Sequence, residues 1–536
     1  MAPILRIILF LQLVTLVHAA DRPHIVLILT DDMGYSDIGC FGGEIDTPNI
    51  DALAKRGLKF SQFYNCGKCE PSRAALVSGH QFWTHHPDIA IRRESPNVGE
   101  VLQEAGYRTM MVGKWHCEGV PYERGFDRHF GFMTGGCDFF VGNDTFTLDG
   151  KPWQVPQEDF YVTSALTEHA DRFIREEHAA HPDSPCFLYL AYNAPHSPIQ
   201  APAKEVAKYR GRYRVGWDEI RRARFAKQQA LGLAGPSWAF PQRPADFPAW
   251  STLDEASRDF EDLRMATYAA MIDCVDQGVG QLMNTLEQFD IVENTLVIFM
   301  NDNGASPNDR ARRGDFGTAK STWNLGAAWA HASNTPLKYY KRAQHGGGVT
   351  TPFIASWPAH ISPEEGYDDQ PLHIIDLLPT FMDLAGTNYP NDFGEKQHPP
   401  LPGRSFVTAL TERETLPPKT LHFSLFNNFA IIDRGWRLVT AYDKPWQLYH
   451  LDQDRTETTD LATTHPERLE EMLAMQAAFE RRPDVRLRLK PGEREPTYSP
   501  IYRSNGRIAP ASSEKVPDER AALQRAKQRS MGMDVR

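Results

Sequence analysis

Four short apolar runs constrain this chain more than any other feature. HIVLILT (24–30), YRTMMV (107–112), CFLYLAY (186–192) and TLVIFM (295–300) are rich in β-branched and long aliphatic residues and do not alternate apolar with polar positions. A strand with one face in water alternates with a period of two. An unbroken run predicts burial on both faces, as in a parallel sheet covered by helices. Between the runs lie stretches with apolar residues at helical spacing, such as PNIDALAKRGLKF (48–60) and MATYAAMIDCVDQGVGQLMNTLEQF (265–289). Strands alternating with helices predict an α/β fold with a large doubly wound, mostly parallel sheet flanked by helices.

Each run ends in chemistry. The first stops at Asp31-Asp32, the second leads through GKWH to Lys114 and His116, the third through NAPHSP to His196, and the fourth through NDNG to Asp302 and Asn303. In doubly wound sheets, ligands sit beyond the carboxyl ends of the strands, so all four clusters are expected on one edge. Singly, each has a plain structural reading. An acid after a strand often caps the next helix, a histidine in a Pro-flanked loop is commonly a turn residue, and a lysine is usually solvated. Their convergence argues for a site.

At 536 residues the chain exceeds one ordinary domain. The N-terminus, with one Arg, an apolar run from Ile7 to Val17 and Val17-His18-Ala19, reads as a signal peptide over 1–20. The run falls short of the roughly 20 residues that span a bilayer, which disfavours an uncleaved anchor. Export to a periplasm or the exterior is expected, with no later membrane span. A large domain is expected over 21–400, ending in the Pro-rich KQHPPLPGRS. Beyond it, LHFSLF, FAIID, WRLVTAY and WQLYHL, then the helical PERLEEMLAMQAAFE, predict a small α+β domain over 401–483 with a short antiparallel sheet and one helix. Residues 484–536 read as a polar, solvated extension. The Arg-, Trp- and Pro-rich stretch 203–260 is expected to be a loop over the pocket mouth, with GGCDFFVGND (135–144) as another wall. Asn143-Asp144-Thr145 fits a glycosylation sequon. A net charge of −11 with scattered Lys and Arg provides no footprint for nucleic acid.

Seven cysteines are an odd number for an exported chain. YNCGKCEPSRAALVSG (64–79) holds Cys66 and Cys69 at C-x-x-C spacing. A zinc site would need a second pair of ligands, and a thioredoxin-like motif would need a small βαβ domain around it. Cys66 reads as a small buried residue or a disulfide partner. Pro71 suits the first turn of a helix ending near Gly79, which puts Cys69 at the helix amino end, where free N–H groups favour an anion, with Arg73 one turn along.

Cys69-Glu70-Pro71-Ser72-Arg73, followed by AALVSG, resembles the C-x-P-S-R signature of the type I sulfatases, which share an alkaline-phosphatase-like fold. The resemblance runs from about Asp21 to about Ala462, through LTDDMGYSDIG, GYRTMMVGKWH, NAPHSP, VIFMNDNG and NTPLKYYKRAQHGGGVTTPFIASWP, the last supplying Lys341. It is most similar to the branch of bacterial arylsulfatases and carbohydrate sulfatases. The family implies that a maturation enzyme oxidises Cys69 to formylglycine, whose hydrate attacks the sulfur of a sulfate ester. It implies a cation held by Asp31, Asp32, Asp302, Asn303 and residue 69. The hard oxygen donors suit calcium better than zinc, and magnesium comes second because of its tighter octahedral demand. Lys114 and Lys341 are implied to neutralise the sulfuryl oxygens, His196 and Lys341 to face the leaving oxygen, and His116 to take a proton from the hydrate. Arg73 is implied to orient the hydrate. The expected substrate is a sulfated saccharide or an aryl sulfate. Four positions depart from the pattern: Glu70, Cys117, Asn301 in place of Ser, and Gly346 in place of Glu. The alternatives are a phosphodiesterase or phosphatase of the same superfamily, a silent sulfate-binding relative with Cys69 unconverted, and a Cys66–Cys69 redox module.

Overall fold

The four apolar runs form adjacent central strands of one sheet, His24–Thr30, Arg108–Lys114, Cys186–Ala191 and Thr295–Asn301. The computed structural model describes residues 22–81, 95–482 and 485, apart from breaks at 246, 310–313, 316, 391, 394–395, 398–399, 426–427 and 442–443. The expected signal peptide and nearly all of the 484–536 extension lie outside the described residues.

Among the described residues ten strands make the sheet, in the order Leu372–His373, Leu58–Tyr64, Thr350–Ser356, Thr295–Asn301, His24–Thr30, Cys186–Ala191, Arg108–Lys114, Arg128–Phe132, Thr147–Leu148 and Lys151–Pro152. The five from Thr295–Asn301 to Arg128–Phe132 are mutually parallel. Thr350–Ser356 runs against both of its neighbours, so its amino end lies where theirs finish. That reversal brings a further loop to the carboxyl edge.

Alternate residues of the central strands face opposite cores. Val26, Ile28, Leu188, Leu190, Val297 and Phe299 pack with the helices Pro48–Lys55, Val162–Ala180 and Glu255–Gln288. Ile25, Leu27, Leu29, Phe187, Leu296 and Ile298 pack with Cys69–Ser78, Val98–Glu104 and Leu377–Ala385. Both faces are dry, which is why the runs do not alternate.

Two local readings change. The helical pattern of 48–60 ends at Lys55, and Leu58 already begins a strand after Gly57. The stretch 203–260 is a packed layer rather than a loop, with the helices Ala203–Tyr209 and Trp217–Ala230. Trp217, Trp250 and Trp329 meet edge to face and Arg221 and Arg224 are buried, so part of its Trp and Arg content serves packing.

The C-terminal strands Leu421–Leu425, Asn428–Asp433, Trp436–Thr440 and Gln447–His450 form an antiparallel meander. The helix Pro466–Glu480 covers one face through Met472. The other face packs on Tyr64 and Val349, next to two loops at the carboxyl edge of the large sheet. Among the described residues, no helix is long and apolar enough to cross a membrane.

His129 is fully buried in Arg128–Phe132, and burial pushes its imidazole down to about 3. The unfolded chain therefore binds this proton first as pH falls below about 6.5, and the stability from the neutral ring is lost from there towards pH 3. His129→Gln should lower the proton uptake on thermal unfolding between pH 6 and 4 by about one, measured by calorimetry in buffers of different ionisation enthalpy.

Candidate active site

Parallel register decides which side chains meet. Thr30 pairs with Asn301, so Asp31 and Asp32 leave one strand beside Asp302 and Asn303 leaving the next. Lys114 ends a strand two places over. Leu58–Tyr64 leads to Cys69 at the first position of the helix Cys69–Ser78, closed by Gly79 in the left-handed conformation (φ 69°). The reversed strand Thr350–Ser356 is entered from the loop carrying Lys341. That loop touches the NDNG turn backbone to backbone. Gly304 N–H donates to Gly348 O at 3.1 Å, and a Cβ on Gly304 would lie 1.8 Å from Gly347 O, so no larger residue fits there.

The result is a dry cluster of charges. Asp31, Asp32, Asp302, Asn303, Arg73, Lys114 and Lys341 are all buried. Lys114 Nζ lies 2.5 Å from Asp31 Oδ2, and Lys341 Nζ contacts Asp32 Oδ1. Arg73 donates from Nε to Asp302 Oδ2 at 2.9 Å and from Nη1 to Lys114 O at 3.0 Å. Its fork thus clamps Asp302 and the end of the lysine strand. Lys341 Nζ lies 3.8 Å from Cys69 Sγ. Burial alone would raise the Cys69 thiol, but the Lys114 and Lys341 ammonium groups outweigh it and hold the thiol down to about 7. Burial and then the neighbouring Asp31 charge push Asp302 well up, whereas Lys114, His196 and Arg73 overcome burial to push Asp31 down. Of the three carboxylates, Asp302 is the one crowded beyond what its neighbouring cations relieve.

That crowding points to a cation. Asp31 Oδ1, Asp32 Oδ2 and Asn303 Oδ1 are buried and accept no hydrogen bond, a state that is costly unless something else satisfies them. One ligand atom each from Asp31, Cys69 and Asp302 lies within 4.8 Å of the others, as does one each from Asp31, Asp32 and His196. Oxygen donors predominate, which suits a hard divalent ion.

His196 reaches this cluster, and His116 lies next to it across Gly135-Gly136. His196 Nε2 lies 3.5 Å from Asp32 Oδ2, and Nδ1 is 2.6 Å from Ser197 O, an arrangement that makes Nδ1 the protonated nitrogen of the neutral ring. His116 adopts φ 51° and packs against Gly135, where a Cβ would come within 2.9 Å of its ring. A Cβ on Gly136 would lie 3.2 Å from His196 Nδ1. The Gly135-Gly136 pair therefore borders both imidazoles. Asn143 donates to Thr134 Oγ1 at 2.8 Å and accepts from Thr145 Oγ1 at 2.7 Å, so the amide of the sequon is engaged internally.

None of the seven cysteines is in a disulfide, Cys66 and Cys69 included. Glu70 pairs with Lys68 at 3.1 Å, so its charge beside Cys69 is balanced. Sequence reasoning missed two supports. Asn301, noted only as a departure, uses its side chain to accept from Met33 N at 3.0 Å and donate to Met33 O at 2.7 Å, fixing the turn after Asp32. At Gly346, the other departure, the N–H donates to Glu457 Oε2 at 2.9 Å, and Glu457 Oε1 pairs with Arg437 at 2.7 Å. The small domain thus supplies a buried carboxylate to the Lys341 loop. No local signal at 346 could have indicated a partner from residue 457.

A family model described as Sulfatase matches residues 23–387. An arylsulfatase of Klebsiella aerogenes is 32% identical over 444 residues, covering 72% of this chain and 92% of its own. An N-acetylgalactosamine-6-sulfatase of Rattus norvegicus is 29% identical over 416 residues, covering 70% and 64%. A crystal structure described as Ps i-CgsB in complex with k-i-k-neocarrahexaose has a TM-score of 0.64 at 27% identity, covering 87% of this chain and 94% of that one. The chain belongs to the sulfatase family. It is a sulfuric ester hydrolase with the α/β architecture expected from its strands.

Metal-stripped protein should melt at a lower temperature than protein with a divalent cation, whose addition stabilises by about 2.7 kcal/mol at a hundred times its Kd. Asp302→Asn should remove most of that cation-dependent shift in a thermal melt.

Proposed function

We propose that the protein is an exported hydrolase of sulfated carbohydrates or aryl sulfates, with Cys69 converted to formylglycine by a separate maturation enzyme. Calcium would be held by Asp31, Asp32, Asp302, Asn303 and residue 69, with magnesium the second choice. The position of residue 69 carries this reading: it opens a helix, lies 3.8 Å from Lys341 Nζ, and shares a candidate metal site with Asp31 and Asp302. The hydrated aldehyde would supply the oxygen nucleophile, and the cation would supply positive charge against the sulfuryl oxygens.

The remaining roles fall to the chain's own residues. Lys114 and Lys341 bind sulfuryl oxygens, exchanging part of their pairing with Asp31 and Asp32 for the substrate. His196 keeps Nδ1–H on the Ser197 carbonyl, so its Nε2 faces the leaving oxygen beside the Lys341 ammonium, and one of the two protonates that oxygen: Lys341 directly, or His196 once Nε2 has taken up a second proton. His116 accepts a proton from the hydrate at residue 69. Arg73 acts by clamping Asp302 and the Lys114 carbonyl, which orients the groups around residue 69. With three carboxylates balanced by three cations, a divalent ion leaves a net positive site suited to an anionic ester.

The names of the relatives favour both substrate classes. The Klebsiella protein is an arylsulfatase, the rat protein acts on N-acetylgalactosamine-6-sulfate, and the Ps i-CgsB structure holds a neocarrahexaose.

Cys69→Ala should abolish turnover of every sulfate ester while leaving the melting temperature within a few degrees of wild type. Mass analysis of the peptide holding residue 69, from a host with maturation activity, should find CHO in place of CH₂–SH. An unconverted thiol in fully active protein would sink the proposal. Lys114→Ala should lower kcat by about 10²–10³-fold, and a panel of sulfated saccharides, aryl sulfates and matched phosphate esters should show turnover of the sulfates.

A further inference from the structure

Asp32 occupies the left-handed region at φ 65°, a conformation that an L-residue adopts only when its surroundings hold it there. Its carboxylate meets Lys341 and Asn303, with Asn303 Nδ2 donating to Oδ1 at 2.7 Å. What fixes its backbone comes from elsewhere. The Tyr268 hydroxyl, on the long helix Glu255–Gln288, lies 3.1 Å from Asp32 O and 2.8 Å from Asp37 Oδ2. Gly34 N–H donates to Asp37 Oδ2 at 2.7 Å and to the Tyr268 hydroxyl at 3.2 Å. Behind Asp37 stands Arg224, from the helix Trp217–Ala230. It donates to Asp37 Oδ1 at 2.7 Å and grips Glu44 with Nε and Nη2 at 2.7 and 2.8 Å. Tyr268, Asp37 and Arg224 are each 1% exposed or less.

We propose that Tyr268, backed by Asp37 and Arg224, is a positioning residue that sets the Asp32 carboxylate for cation binding. The inference rests on the cation reading above. A hydroxyl bridging the carbonyl of Asp32 and the carboxylate of Asp37 closes the turn 32–37 on itself, and the buried guanidinium stops Asp37 from rotating away. The helix that carries Arg224 lies in the 203–260 layer, so that layer reaches the turn that follows Asp32. Groups that orient a metal ligand through one intervening bond typically contribute about 10–100-fold to metal affinity.

The test is calcium titration by calorimetry into metal-stripped, full-length wild type, Tyr268→Phe and Tyr107→Phe. Tyr107 is an equally buried control whose hydroxyl bonds Pro23 O at 3.1 Å, at the amino end of the sheet. The expected result is a calcium Kd raised about 10–100-fold in Tyr268→Phe and unchanged in Tyr107→Phe, with both variants losing similar thermal stability. Wild-type affinity in Tyr268→Phe overturns the inference alone. A wild type that takes up no calcium overturns the cation reading and this inference with it. Should Tyr268→Phe fail to fold, Arg224→Lys, which keeps the charge and loses the fork, is judged by the same comparison.

Discussion

Three carboxylates and three cationic side chains, all removed from water at one edge of a sheet, set the terms for everything around them. Burying any one of these charges alone would cost several kcal/mol. They persist because each is paired: Asp31 with Lys114, Asp32 with Lys341 and Asp302 with Arg73. Pairing is incomplete, since Asp31 Oδ1 and Asp32 Oδ2 accept nothing. A site of this kind is stable but unsatisfied, and on the proposed reading a divalent cation with an anionic ester would complete it. Binding and catalysis then draw on the same electrostatic imbalance.

Holding such a cluster requires support from several directions. The parallel strands fix Asp31, Asp32, Lys114, Asp302 and Asn303 by register. The antiparallel Thr350–Ser356 brings in the Lys341 loop, and glycines at 304 and 347 let the two loops touch. The small meander contributes Glu457 and Arg437 to that loop, along with a Lys338 to Tyr449 hydrogen bond of 2.9 Å. The C-terminal unit is therefore part of the framework of the site.

Much of this was legible in the residues. The non-alternating runs at 24–30 and 295–300 announced central parallel strands because burial on both faces removes any need for polar positions. The helix at Cys69 was legible because Pro71 and Gly79 mark its ends. By contrast, the strand at 58–64 was hidden because LKF continues a helical apolar spacing, and only Gly57 marks the break. The 203–260 stretch misled through its composition: Arg and Pro suggest an exposed loop, yet Arg221 is buried against Pro241 of the same stretch and Arg224 is buried by Asp37, far away in sequence.

The sequence by itself determined which residue types stand at the strand ends, and hence the kind of chemistry available, because strand burial and helix capping are local properties of a few consecutive side chains. Tertiary structure alone decided that Lys341 reaches Asp32 and Cys69, that Glu457 answers Gly346, and that Tyr268 and Arg224 lie behind Asp32. Those contacts depend on strand direction, on backbone close approach and on pairing of buried charges across more than a hundred residues, and no short-range pattern encodes them.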